Sequence, residues 1–200
     1  APYMRGAERV SVTASIGYTL FQQDSSDADT LLRHADQAMY AAKQAGRNRF
    51  HQFDTAQERA SQEVREQLVQ MRSALVAGQF VLYLQPKVDM RLGTVVGAEA
   101  LARWQHPERG ILTPAAFLPR LQGTELEFTF DAWVVESALC HVRTLLAQGL
   151  ELPVSINIAA PHLQQPDFAG WMAKQLARHC DISSALLDLE ITETAALYNI

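Results

Sequence analysis

From residue 79 onward the chain alternates short apolar segments with helical ones, and no other feature limits its fold as much. Residues 80–86 are strongly apolar, and 94–98 are apolar and partly β-branched. In residues 153–158, Val154, Ile156 and Ile158 face one way while Ser155 and Asn157 face the other, and residues 186–191 alternate in the same manner. Between them, residues 131–147 place Val134, Val135, Ala138, Leu139, Val142, Leu145 and Leu146 at helical spacing, and residues 167–179 read as a further helix. Strands alternating with helices predict βαβ units and a parallel sheet. The first strand is expected to stop at Pro86. The next is expected to end near Ala98 and give way to a polar loop through Arg103 and Trp104 to Gly110. Thr113 and Pro114 read as an N-cap and first-turn proline of a helix carrying Ala116, Phe117 and Leu121.

Parallel strands present their carboxyl ends on one side, where α/β folds build ligand sites. Gln85, Glu99, Asn157 and Glu190 all fall at or near such ends. Two carboxylates and an amide oxygen are hard donors that suit Mg²⁺ or Mn²⁺. Zinc would recruit His or Cys, and the six histidines show no paired metal spacing. Arg103, four residues after Glu99, offers a guanidinium fork for an anion. A metal beside an arginine suggests a phosphate ester, whose phosphoryl oxygen the metal would polarise.

Composition narrows the setting. A net charge of −5 argues against a broad nucleic-acid-binding face but leaves room for a local basic pocket. No run of about 18 uncharged apolar residues is present, so no membrane span is expected. Residues 1–6 lack the apolar centre of a signal peptide. Two cysteines, Cys140 and Cys180, lie in helical patterns without metal spacing and read as free thiols of a reducing cytoplasm.

The first 78 residues follow a different pattern. Residues 10–21 alternate as one strand, bent at Gly17. Asp27 or Asp29 caps a helix reaching about Ala45, with Leu31, Leu32, Ala35, Ala38, Met39 and Ala42 on its apolar face. Lys43 lies in the last turn and Gly46 stops the helix. Residues 47–50 are expected to leave as an extended piece. Residues 54–77 read as a connecting helix with Val64, Leu68, Met71 and Leu75 in a heptad-like stripe. Two heptads are too few for a coiled coil, so the stripe is expected to pack on the following domain.

Two family resemblances run through this pattern. Ala35-Asp36-Gln37-Ala38-Met39-Tyr40-Ala41-Ala42-Lys43-Gln44-Ala45-Gly46-Arg47-Asn48, with Val12 to Gly17 before it, resembles the closing segment of GGDEF domains, the diguanylate cyclases. The resemblance implies a phosphate-contacting pair in Lys43 and Arg47. That family's catalytic motif lies upstream of the matching segment, so no cyclase chemistry is expected from these residues. The second resemblance is to the first half of EAL domains, the cyclic-di-GMP phosphodiesterases. It rests on Tyr83-Leu84-Gln85-Pro86-Lys87-Val88, Gly97-Ala98-Glu99-Ala100-Leu101-Ala102-Arg103-Trp104, His106-Pro107-Glu108-Arg109-Gly110, Val154-Ser155-Ile156-Asn157-Ile158 and Leu189-Glu190-Ile191-Thr192-Glu193-Thr194.

The resemblances imply an α/β chain in three parts. Residues 1–54 would be the end of a GGDEF domain, a cyclase-palm-like α+β segment. Residues 55–78 would be a linker helix, and 79–200 an incomplete TIM-type (β/α) barrel of the EAL kind. They imply a cytoplasmic bacterial signalling protein that hydrolyses one phosphodiester of cyclic-di-GMP to linear pGpG. Glu99, Asn157 and Glu190 would be metal ligands, with Glu99 counted as catalytic. Gln85, Leu101, Arg103 and Pro114 would line the dinucleotide, and Glu193 would support a neighbouring loop. A two-metal site with Mg²⁺ or Mn²⁺ is implied, but the family's paired aspartates, lysine and later glutamate fall beyond this sequence, leaving the second site incomplete and the segment inactive alone. The residues leave a silent cyclic-di-GMP receptor and a net cyclase open as alternatives. They also leave open dimerisation through the EAL part or the linker helix, and a membrane anchor upstream. Two departures from the family stand out. Residues 118–125 replace its usual acidic, glycine-containing segment. Ala159 stands where a serine is usual, so a supporting hydroxyl is expected to be missing.

Overall fold

The computed structural model describes residues 2–5, 8–21 and 23–191. The chain divides into two units, residues 1–66 and 67–200.

In the first unit, β1 (Pro2–Arg5) and β2 (Glu8–Ser11) pair antiparallel. The single strand expected over 10–21 is broken here. Strand β2 stops at Ser11, and β3 (Ile16–Tyr18) pairs parallel to β4 (Phe50–Gln52). Gly17 is the reason β3 can sit where it does. A Cβ there would lie 2.0 Å from the Met39 nitrogen and 2.1 Å from the Ala35 oxygen, so only glycine lets the strand lie directly on the helix. That helix, α1 (Ala28–Gln44), is capped by Asp27, whose side chain accepts the Thr30 N–H. Gly46, with φ of 106°, follows its C-cap Ala45 and turns the chain away. Arg47 and Asn48 do not extend as expected. Both take positive φ, 59° and 49°, so a left-handed turn carries the chain into β4.

Helix α2 (Thr55–Val76) starts at Asp54, whose carboxylate accepts the Ala56 and Gln57 N–H groups. In its last turns Met71 and Ala74 are buried in the core of the second unit, and Leu68 and Leu75 pack against that core. The apolar stripe is thus a packing face, as its short length suggested.

The second unit is built on one sheet with strand order β5 (Phe80–Asp89), β6 (Thr94–His106), β8 (Val154–Asn157) and β9 (Leu187–Glu190), and the short β7 (Gly110–Leu112) hairpins onto β6. The β6–β8 and β8–β9 pairs are parallel, as the alternation predicts. The β5–β6 pair is antiparallel, because only the four-residue turn from Met90 to Gly93 joins them. Asp89 shapes that turn by accepting the Arg91 and Leu92 N–H groups. Nor does Pro86 end its strand. It pairs with Ala98 inside β5, and a proline is tolerated because β5 lies at the end of the strand order. Strand β6 also overruns its expected end, so Glu99, Arg103 and Trp104 are strand residues rather than loop residues.

The helices cover one face of this sheet. After a 3₁₀ turn at Pro114–Ala116 and the single-turn α3 (Leu118–Leu121), helix α4 (Glu125–Ala147) begins six residues earlier than its apolar pattern indicated. Helices α5 (Ala160–Leu163) and α6 (Phe168–Ala177) follow β8. Ala100, Ala102, Trp104, Val154 and Ile156 point to this side and are buried with Val134, Val135, Ala138, Leu139 and Val142 of α4. Phe80 lies at the centre of an aromatic cluster, stacked on Trp104 at 5.2 Å and edge-on to Phe117 and Phe130, each at 5.3 Å.

Candidate functional site

With one face of the sheet committed to the helices, strand alternation sends the remaining side chains to the other face. Tyr83, Gln85 and Lys87 of β5, Gly97, Glu99, Leu101 and Arg103 of β6, Ser155 and Asn157 of β8, and Asp188 and Glu190 of β9 share it. Register decides which of them meet. Gln85 pairs with Glu99, Glu99 with Ser155, Ser155 with Asp188, and Asn157 with Glu190. The Asn157 amide Nδ2 donates to Glu99 Oε1 at 3.0 Å. Glu99, Asn157 and Glu190 therefore occupy neighbouring positions on three adjacent strands.

Gln85 also reaches this row, although β5 runs opposite to the expectation. A residue in the middle of a reversed strand lands beside Glu99 because the hairpin register puts it there. Arg103 lies two pairs further along β6. Its guanidinium sits 5.7 Å from the Tyr83 ring centre and donates to the Ala102 carbonyl at 2.8 Å, so it does not touch Glu99. Leu101, Pro114 and Asn157 line a cavity of about 810 Å³ between β6, β8, α3 and α4, together with Gln122, Glu127 and Asp131. Glu193 falls outside the described residues. In the first unit, Lys43 and Arg47 are exposed, and neither donates a side-chain hydrogen bond among the described residues.

Two features of this region were not read from the sequence. The first is Lys87, whose ammonium donates to Glu190 Oε1 at 2.5 Å and to Ser155 Oγ at 2.6 Å. This hydrogen bond holds the Glu190 carboxyl below its ordinary range and, with Glu99 and Asp188 adding to it, raises the Lys87 ammonium. A lone lysine two residues after Gln85, on the same strand face, was the readable signal. Its partners lie 68 and 103 positions away and left none.

The second is Asp131, which looked like a helix start. It is buried inside α4, and its Oδ2 accepts the Ala159 N–H at 3.2 Å and lies 3.0 Å from His162 Nδ1. Burial pushes the carboxyl up to about 6, while the His162 and Ala159 hydrogen bonds pull it back. A carboxylate from α4 holds the backbone two residues after Asn157.

Among the described residues no three His, Cys, Asp or Glu side chains cluster as a metal cage. The donor chemistry still suits a hard divalent cation. Glu99 and Glu190 supply carboxylate oxygens, and Asn157, whose NH₂ is spent on Glu99, retains its amide oxygen.

An acidic row across an open α/β sheet, with an antiparallel first strand and parallel ones after it, defines a class of sheet rather than a particular enzyme. Comparison supplies the family. Residues 68–200 match the EAL domain, and the chain belongs to that family. Residues 1–49 match the diguanylate cyclase, GGDEF domain. The chain is 34% identical over 197 residues to the bifunctional diguanylate cyclase/cyclic di-GMP phosphodiesterase MucR of Pseudomonas aeruginosa, covering 98% of this chain and 29% of that protein. It is 34% identical over 202 residues to the cyclic di-GMP phosphodiesterase PdeR of Escherichia coli, covering 99% and 30%. This chain thus spans about 30% of the length of these curated relatives. Among solved structures, the MucR phosphodiesterase in complex with c-di-GMP superposes with a TM-score of 0.63 at 33% identity, covering 67% of this chain and 54% of that one. The EAL enzyme Bd1971 matches with a TM-score of 0.66 at 21% identity, covering 89% and 46%, a likeness of fold alone.

Proposed function

We propose that this chain is part of a cytoplasmic GGDEF–EAL signalling protein that hydrolyses cyclic-di-GMP to linear pGpG, with the EAL part beginning near residue 79 after a linker helix over 55–78. One observation carries the reading. Glu99, Asn157 and Glu190 stand side by side on three strands, in a register that leaves their oxygens on one open face. These three residues would hold Mg²⁺ or Mn²⁺ in a TIM-type barrel that further strands complete. The metal, when bound, supplies Lewis-acid polarisation of a phosphoryl oxygen.

The remaining roles belong to the chain. Asn157 orients Glu99 by donating to one carboxylate oxygen, which leaves the other unengaged by that amide. Gln85, directly across from Glu99, is placed to donate to a phosphate or base edge. Leu101 and Pro114, which border the cavity on the helix side of the sheet that Asn157 also lines, are proposed to line the dinucleotide. Arg103 holds positive charge further along the same strand, its guanidinium kept near the Tyr83 ring until an anion draws it away. Lys43 and Arg47 are proposed as a phosphate-contacting pair of the GGDEF part.

The test is conversion of cyclic-di-GMP to pGpG by the full-length protein with Mg²⁺ or Mn²⁺. Glu99→Gln preserves size and hydrogen bonding while removing the charge, and should lower turnover by at least a hundredfold. Turnover within threefold of the unsubstituted protein would remove Glu99 from the site.

A further inference from the structure

The acidic face carries its own cation. Lys87 leaves β5, the first strand of the sheet, and its ammonium contacts residues of β8 and β9, passing over β6. Register explains how it crosses. Lys87 pairs with Gly97, the one position on that face of β6 without a side chain. Gly97 is constrained in turn, since a Cβ there would lie 3.0 Å from the Pro153 oxygen, whose carbonyl accepts the Ala98 N–H at 2.9 Å. The contact that joins β6 to the segment entering β8 thus also keeps the path of Lys87 open.

We propose that Lys87 is a positioning residue that occupies one oxygen of Glu190 and thereby lowers the affinity of the Glu99–Asn157–Glu190 site for a divalent cation. The inference rests on the metal-site reading above. Lys87 does three things there. It fixes the Glu190 carboxylate against Ser155, so that Oε1 is taken and Oε2 is left for a metal. It offsets the mutual repulsion of Glu99, Asp188 and Glu190 before any cation arrives. It places a positive charge within hydrogen-bond distance of a metal ligand, and that charge repels an incoming divalent ion. The last effect favours the metal-free state, so the site should fill only at higher metal concentration than two bare carboxylates and an amide would need.

The experiment measures Mn²⁺ alone, without nucleotide, by electron paramagnetic resonance and calorimetry on the full-length protein. Glu190→Gln defines the component of Mn²⁺ binding that belongs to this site and separates it from any site in the GGDEF part. Lys87→Met should tighten that component about tenfold, the scale of one unit charge a few ångströms away at a partly solvated position. Lys87→Arg, which keeps the charge, should stay within twofold of the unsubstituted protein. Lys87→Gln, which keeps a donor but no charge, should follow Lys87→Met and serves as the reading if the methionine variant does not fold. Unchanged or weaker Mn²⁺ binding in the uncharged variants, with a Glu190-dependent component present in the unsubstituted protein, would overturn the role of Lys87 alone. Absence of any Glu190-dependent Mn²⁺ binding in the unsubstituted protein would instead overturn the metal-site reading.

Discussion

Each unit of the chain buries an aspartate against a histidine, and the two pairs behave in opposite ways. In the first unit Asp24 lies 2.5 Å from His34 Nδ1 and also accepts from Thr19 Oγ1, Ser26 Oγ and the Ser26 N–H. The His34 ring stacks on Phe53 at 3.9 Å. In the second unit Asp131 lies 3.0 Å from His162 Nδ1 and accepts the Ala159 N–H. There the His162 ring packs among Phe128, Phe168 and Trp171. The Ser26 and His34 hydrogen bonds hold the Asp24 carboxyl far below its ordinary range, whereas burial lifts that of Asp131 to about 6. Surface exposure is low at both, 2% and 5%, yet burial is the largest influence on Asp131 whereas hydrogen bonds dominate at Asp24. Asp24 sits in a polar turn that supplies nearly every hydrogen bond a carboxylate can use, while Asp131 has two donors and an aromatic surround.

The largest effect in this comparison should come from Asp131→Ala. It removes the acceptor for the buried His162 ring and for the half-buried Ala159 N–H, so a cost of about 2–4 kcal/mol is expected. All three tryptophans, Trp104, Trp133 and Trp171, lie in the second unit, so their fluorescence in urea follows that unit alone. A cost below about 0.5 kcal/mol would mean the pair is dispensable.

Acidity gives the next effect. Asp131 is raised from 3.8 to about 6 in the fold, so the folded state binds its proton more tightly than the unfolded chain does. That favours the fold fully below about pH 3.8 and is lost as pH rises through 6. Relative to Asp131→Asn, the unsubstituted second unit should lose on the order of 1–3 kcal/mol between those limits. Parallel pH profiles for the two proteins would break the contrast.

Asp24 should show the reverse sign and a smaller effect. Its carboxyl is depressed, so its stabilising share is present above the ordinary value of 3.8 and fades as pH falls below it. Asp24→Asn should lower the melting temperature of the first unit at pH 7 and leave it nearly unchanged in strong acid. Equal losses at both pH values would show that Asp24 contributes shape rather than charge. The smallest change is expected from Ser26→Ala, which deletes the largest single cause of the Asp24 shift. Carboxyl NMR should find the Asp24 titration moved upward while the unit stays folded. An unmoved titration would assign the depression to His34 instead.

In the sequence, strand-end placement picks out Glu99, Asn157 and Glu190, whereas in the fold β6 runs on past Glu99 and it is register and period-two facing that bring the three together. Helical periodicity made the apolar stripe of α2 legible. Strand ends and strand direction were not. Pro86 and Glu99 both resemble terminators, and only the place of β5 in the sheet order and the length of β6 show otherwise. The hairpin signal at residues 90–93 was present, yet the helices that follow suggested parallel strands throughout. Lys87–Glu190 and Asp131–His162 stayed hidden because each joins residues dozens of positions apart, and neither partner carries a local mark of the other. The consequence for the site is specific. The three polar residues could be picked out by reading, but the groups that hold them could not.

The short connection between β5 and β6 has a further consequence. Because Asp89 and Gly93 clasp the turn, its length sets the facing of β5 so long as the register shift between Lys87 and Val88 is kept. Removing one residue from the turn would slide β5 by a single place. Gln85 and Lys87 would swing into the layer beneath the helices, and Leu84 and Pro86 would take their seats on the open side. Removing or adding two would leave every side chain on its present face and move it one step along the row. With that register shift kept, even-numbered edits preserve the facing, and a designer could use them to slide the amide and ammonium past Glu99 without turning the strand over.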